Sequence, residues 1–254
     1  MLFSRAIVRK PCRNFEHGLT TAELGPPDYQ LAVRQHQQYV QALRQCGLQV
    51  TMLEADERYP DSTFVEDTAV LTPFCAVMTR PGAPSRQGEV DAMRPVLAQF
   101  FPEIWDILEP GTLDGGDVLQ IGDRFFVGIS ERTGEEGARQ LIDRLSRYGL
   151  HGQTVPVRRG LHLKSGLNAL GKTHLLACEE YVSLPAFREF KFIVVDEDES
   201  YAANSLWING TVLVPAGFPG TAEKIRRAGF PVLTVDVSEF RKMDGGLTCL
   251  SLRF

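Results

Sequence analysis

Cys249 stands in the run Met243-Asp244-Gly245-Gly246-Leu247-Thr248-Cys249-Leu250-Ser251-Leu252-Arg253-Phe254, just after a glycine pair. Glycines let backbone approach a neighbour closely, and Leu250 to Phe254 alternates apolar and polar residues as a half-buried strand does. A thiol at the mouth of such a strand is held on a rigid element, where its thiolate can act as a nucleophile. Out of context, a single cysteine is more often one more small core residue. Cys12, Cys46, Cys75 and Cys178 fit that plainer description, lying in ordinary apolar or helical surroundings. Five cysteines is an odd number and no C-x-x-C pair occurs. That pattern argues against a disulfide framework or a cysteine-rich zinc site, and for a reducing, cytoplasmic location.

The chain has 254 residues, of which 43% are hydrophobic and 23% charged, the balance of a globular protein with a substantial core. No apolar run reaches membrane-spanning length, and the first residues lack a signal-peptide layout. A formal net charge of −5 disfavours nucleic acid as a partner and is compatible with a cationic small molecule.

The elements that would position Cys249 form a repeat. Ser4 to Lys10 has a strand pattern, followed by a turn-rich loop from Pro11 to Gly25. A helix is expected from Pro26-Pro27-Asp28, with Ala32, Val33, Tyr39, Val40 and Leu43 inward and Gly47 as its stop. Leu48 to Leu53 is a strand. From there one unit recurs: a loop ending in an acidic or amide residue, two short strands, a helix and another strand. The second unit's helix is expected to open on a Thr133-x-x-Glu136 capping box. In the first, Pro95 should break or kink a helix spanning Gly88 to Phe101. A short helix is expected near Ser183 to Phe190, and Asn209-Gly210 marks a hairpin turn. Asp67, Asp117, Asn168, Asn204 and Cys249 are equivalent anchors, separated by 50, 51, 36 and 45 residues, a period that signals repeat architecture. The last unit is half a copy whose missing half lies at the other end of the chain. The simplest closure is therefore a ring in which N- and C-terminal strands share a blade, leaving no long open edge. Loops that open each unit then converge on the axis, and Cys249 faces Asp67 and Asp117. No linker divides the chain, so residues 1–254 are expected to form one catalytic domain.

Four strings carry a resemblance over the whole chain: Phe64-Val65-Glu66-Asp67, Thr112-Leu113-Asp114-Gly115-Gly116-Asp117, His162-Leu163-Lys164 and Asp244-Gly245-Gly246-Leu247-Thr248-Cys249. In this order and at these separations they resemble the guanidine-modifying enzymes of the pentein superfamily, and within it the dimethylarginine dimethylaminohydrolases. The resemblance implies an α/β fold, a five-bladed α/β propeller of pseudo-repeats closed by N- and C-terminal strands. It implies a hydrolase that converts Nω-methylated arginines to citrulline plus dimethylamine or methylamine, through a covalent thiouronium on Cys249, with no cofactor and no metal.

The chemistry asks for these residue types. A guanidinium carbon is a poor electrophile because charge is spread over three nitrogens, and the displaced amine must take up a proton. A thiolate suits a soft, delocalised centre, and a histidine can protonate the amine and then deprotonate water. The resemblance makes Cys249 the nucleophile, His162 the general acid/base and Asp114 its orienter. Some family members carry Glu at this last position, and the shorter acid is expected to reach. A guanidinium stays charged at any working pH and needs carboxylates. By resemblance Asp67 contacts its nitrogens, while Asp61 and Glu66 form the adjoining wall. Arg86 and Arg132 clamp the substrate carboxylate, Leu19 is the lid residue, and Met243 also belongs to the binding set. Alone, His162 has the look of a structural histidine, Asp114 of a turn residue before Gly-Gly, and the two arginines of solvated surface. His17, His36, His151 and His174 are taken as structural. Arginine deiminases, agmatine deiminases and amidinotransferases typically carry an acid two residues after the catalytic histidine. Lys164 stands there instead, which fits a far nitrogen that bears methyl groups and cannot donate two hydrogen bonds.

The rival readings are another guanidine or ureido hydrolase (an arginine deiminase or a citrulline-cleaving enzyme), a non-catalytic propeller resembling the ribosome anti-association initiation factor, and a zinc protein using Cys249 and His162. The second leaves the matched cysteine, histidine and acids unexplained. The third lacks four ligands at recognisable spacing. The expected partner is a small cationic substrate, a methylated arginine, with no nucleic acid and no membrane; the resemblance leaves room for a homodimer.

Overall fold

Among the described residues, short apolar runs bounded by turn residues fold into fifteen strands in five three-stranded sheets. The structure, a computed structural model, describes residues 2–158 and 160–254. Each sheet repeats one plan. A first strand pairs antiparallel with a second, and the second pairs parallel with a third. The first blade is Ala69–Leu71, Ala76–Met78 and Ile104–Asp106. The next are Val118–Ile121, Arg124–Ile129 and His151–Pro156, then Leu167–Leu170, His174–Ala177 and Lys191–Val194, then Leu206–Ile208, Thr211–Pro215 and Val232–Val235. The last blade joins both ends of the chain, with Leu252–Arg253 antiparallel to Arg5–Arg9, which runs parallel to Gln49–Leu53. A parallel neighbour demands a crossover, and helical segments supply it between the second and third strands, as with Tyr29–Gln45 and Pro219–Arg227. Tyr29–Gln45 starts where Asp28 accepts the Leu31 N–H. It buries Ala32, Tyr39, Val40 and Leu43 and ends before Gly47, whose φ is 89°.

The five anchors link consecutive units into a ring. Asp67 Oδ1 accepts from Gly116 N–H at 2.9 Å, and Asp117 Oδ1 from Leu163 N–H at 2.8 Å. Asn168 Nδ2 donates to Ala203 O at 2.8 Å, and Asn204 Oδ1 accepts from Thr248 N–H at 3.0 Å. Cys249 closes the circuit with its main chain, its carbonyl accepting from Glu66 N–H at 3.1 Å.

Several local expectations fail, two of them where a tertiary partner replaces a local one. Thr133 caps no helix: its hydroxyl donates to Asp117 Oδ2 at 2.7 Å, and the helix Glu135–Ser146 begins after Gly134. The helix Glu89–Leu97 runs through Pro95 and stops two residues later, short of Phe101. Near residue 183 the chain forms a helix at Glu179–Val182 and a 3-10 turn at Pro185–Phe187. The C-terminal strand is only Leu252–Arg253. Cys249 instead lies in the turn before it, because Thr248 and Ser251 are drawn to Asn204 and Tyr39.

Candidate active site

Leu19, Asp61, Phe64, Asp67, Arg86, Arg132, Leu161, His162, Met243, Asp244, Gly245 and Cys249 surround one small cavity. Every sequence-predicted site residue lines it except Asp114 and Glu66.

Asp114 stands behind the cavity, fully buried. Its Oδ2 meets His162 Nε2 at 2.9 Å, so the shorter acid reaches. Its Oδ1 is fixed by Gly82 N–H at 2.9 Å. Gly116 is required beside them, since a Cβ there would lie 2.7 Å from His162 Nδ1. Burial works against a charge on His162, but Asp67, the Asp114 hydrogen bond and Asp117 outweigh it, pushing its pKa up to about 9. The imidazole is therefore protonated at neutral pH.

Cys249 keeps some solvent exposure. Gly246 N–H points at its sulfur from 3.4 Å, and the Thr248 hydroxyl lies 4.0 Å away. Burial first, then Glu66 and Asp67, push its thiol up to about 12, although its residual contact with water offsets part of the burial effect. The resting pair is a neutral thiol beside an imidazolium whose charge is held by acids.

Asp67 has one oxygen on Gly116 N–H and the other on Arg86 Nη1 at 2.6 Å. Burial opposes its ionisation, yet His162 and Arg86 bring its pKa down to about 2. Arg86 is largely committed inside the protein: Glu89 grips it through two bonds, of 3.0 and 2.8 Å, and Phe64 O takes a third. One Nη1 N–H remains for a ligand. The guanidinium of Arg132, by contrast, has no hydrogen bond or ion pair among the described residues. Asp61 is buried, and both its oxygens receive Leu19 N–H at 3.1 Å. Burial pushes its carboxyl up, against Arg86, the Leu19 N–H and Arg132.

Glu66 turns away from the wall expected of it. Its Oε1 takes Lys164 Nζ and Arg253 Nη2, each at 2.7 Å. All three side chains line a second cavity of about 160 Å³, which Cys249 does not touch. This larger space holds no histidine and no thiol, so it is not where the chemistry gathers. Lys164 and Arg253 thus pair with Glu66, and the acids that line the thiol's cavity are Asp61, Asp67 and Asp244. Sequence reasoning passed over Glu89 and Arg253, and took Asp117 as an anchor of the repeat without a part in the site's electrostatics. Of these, Glu89 had a signal, an acid three residues after Arg86 at a helix start.

His162, Asp67 and Asp114 each present a ligand atom within 4.8 Å of the others. Atoms of the same three side chains are already engaged in the His162–Asp114 and Asp67–Arg86 bonds.

A family model for "N,N dimethylarginine dimethylhydrolase, eukaryotic" matches residues 28–200. The N(G),N(G)-dimethylarginine dimethylaminohydrolase of Pseudomonas aeruginosa is 48% identical over 254 residues, 100% of each chain. The chain belongs to this family. It is an enzyme of the dimethylarginine dimethylaminohydrolase family, with a second such relative in Streptomyces coelicolor, 36% identical over 98% of this chain and 96% of that one. The Pseudomonas dimethylarginine dimethylaminohydrolase, solved as a cysteine-to-serine mutant with citrulline, superposes with a TM-score of 0.98 at 47% identity over 100% of both chains. The N-terminal domain of ArgZ, a cyanobacterial arginine dihydrolase, shares the fold at a TM-score of 0.88 and 19% identity, covering 98% of this chain and 97% of that one. No helix among the described residues is long and apolar enough to cross a membrane.

Proposed function

We propose that this chain, acting as one catalytic domain, hydrolyses dimethylarginine and monomethylarginine to citrulline, releasing dimethylamine or methylamine. The observation that carries the reading is the meeting of Cys249, His162 and Asp67 around one cavity, with Asp114 bonded to His162 from behind. Support comes from the full-length Pseudomonas relative of that name and its structure with citrulline.

The substrate guanidinium lies against Asp67, its methylated nitrogen toward His162. Arg132 and the spare N–H of Arg86 take the amino-acid carboxylate, while Leu19, Asp61 and Met243 wall the remainder. Glu66 contributes through its paired charge and its backbone bond to Cys249. The Cys249 thiol loses its proton to solvent, since His162 is already protonated. The thiolate then adds to the guanidinium carbon, and His162 gives its proton to the methylated nitrogen as the C–N bond breaks. The methylated amine departs and leaves a thiouronium on Cys249. Neutral His162 next accepts a proton from water as its oxygen attacks the same carbon. The C–S bond breaks, the sulfur takes the electron pair, the remaining hydroxyl proton passes to solvent as the carbonyl forms, and citrulline leaves. Asp114 holds the imidazole ring in one orientation throughout.

The test is to incubate the purified protein with arginine, monomethylarginine, dimethylarginine and citrulline and identify the released amine. Dimethylamine and methylamine with citrulline are expected. Ammonia from arginine or citrulline, with the methylated substrates untouched, would replace this reading with the deiminase or citrulline-cleaving one.

A further inference from the structure

Residues 18–27 form neither helix nor strand, yet they are fastened to the rim of the Cys249 cavity by two carboxylates. Asp61 holds Leu19 N–H. The second is Asp244, whose Oδ2 receives both the backbone N–H and the hydroxyl of Thr21. Beside it the Thr20 hydroxyl donates to Lys242 O at 2.9 Å and accepts from Ala22 N–H at 3.0 Å. Asp244 and Leu19 line the cavity together with Cys249.

The backbone of Asp244 is a second mark of its importance. Its φ is 56°, in the left-handed region, where among the described non-glycine residues only Asn209 joins it. Asn209 occupies a hairpin turn, where that conformation is ordinary. At Asp244 it turns the chain from the short helix Ser238–Arg241 into Gly245-Gly246, and Gly246 N–H reaches the Cys249 sulfur. One residue therefore touches the segment over the cavity and begins the turn that carries the thiol.

We infer that Asp244 is a positioning residue whose carboxylate latches residues 18–27 over the cavity, so that Leu19 covers a bound substrate. The kinetic consequence rests on the hydrolase reading; the latch itself does not. Two bonds to an ionised acceptor are stronger than neutral ones, and losing them should weaken substrate retention by about tenfold or more.

The test separates side chain from backbone. Asp244→Gly keeps the left-handed turn without strain and removes the latch; Asp244→Asn keeps both the turn and an oxygen acceptor. The rates at which iodoacetamide and a bulky maleimide label Cys249 are compared in each. Asp244→Gly should raise the bulky-to-small rate ratio about tenfold or more and raise KM for dimethylarginine with little change in kcat. Asp244→Asn, which keeps the acceptor but not its charge, should fall between the parent and Asp244→Gly on both measures. An unchanged ratio in Asp244→Gly, equal acceleration of both reagents, or Asp244→Asn behaving like Asp244→Gly would each overturn the latch. If the parent turns over no methylated arginine, the labelling ratio still decides the latch while the functional reading falls separately.

Discussion

Docking a guanidinium against Asp67 should lower the apparent pKa of Cys249 by about three units. The free thiol is pushed up to about 12 by burial, Glu66 and Asp67, which leaves only ~1 in 100,000 molecules ionised at pH 7. His162 gives little help, because its positive charge is engaged by Asp67, Asp114 and Asp117, and among the described residues the other cations that line the thiol's cavity are Arg86 and Arg132. A unit positive charge about 4 Å from the sulfur is worth ~4 kcal/mol at an effective dielectric constant of ~20. At 1.36 kcal/mol per unit that is about three pK units, or a ~1,000-fold gain in thiolate at a fixed pH. Substrate binding and thiol activation then become one event, and the reactive sulfur stays protonated otherwise. The assay follows alkylation of Cys249 by iodoacetamide, read at the peptide that contains it, from pH 6 to 10. It is run with and without an unreactive amidinium small enough to leave the sulfur accessible. The free protein should react faster by about tenfold per pH unit across most of this range, and the ligand should move the curve toward lower pH. A plateau already reached below pH 7 in the free protein would refute the reasoning and point to a preformed thiolate–imidazolium pair.

Cys249→Ser should fold as the parent does, by thermal melt, and lose at least about a thousandfold in kcat, because a hydroxyl is not ionised near neutral pH and is a harder nucleophile; near-parent turnover would remove Cys249 from the mechanism. Exhaustive chelation should leave activity intact, whereas loss reversed by added zinc would favour a metal role for His162 and the two acids. The pKa of His162 is raised, from 6.5 unfolded to about 9 folded, so its contribution is fully present below about pH 6.5 and is lost as pH rises through 9. The shift corresponds to about 3 kcal/mol, and in urea titrations the gap between parent and His162→Asn should shrink by that order between pH 6 and 9.5. A constant gap would mean that His162 is neutral in the folded protein.

The sequence exposes the ring because its joints are chemically unlike its strands. Acids and amides recur among apolar runs, and buried polar side chains need partners. Cys249 occupies the fifth such joint, and the structure shows what that placement does. Asp117, Asn168 and Asn204 spend their side chains joining one unit to the next. Asp67 divides its two oxygens between that task and Arg86. At Cys249 the main-chain carbonyl makes the joint with Glu66 N–H, leaving the thiol at the cavity. What stayed illegible depends on direction. Glu66 and Asp67 are adjacent in sequence, so one wall of two acids was a natural reading. Within the 3-10 turn Val65–Thr68, however, neighbouring side chains diverge. Asp67 turns to Arg86, while Glu66 crosses to Lys164 and Arg253. The same divergence explains how one acidic pair can serve opposite ends: Asp67 remains for a cationic ligand, and Glu66 is tied to Lys164 and Arg253 outside the thiol's cavity. Residue types and order can locate such a pair, but which cavity each acid enters is decided by cations about 20 and 100 or more residues away in the chain.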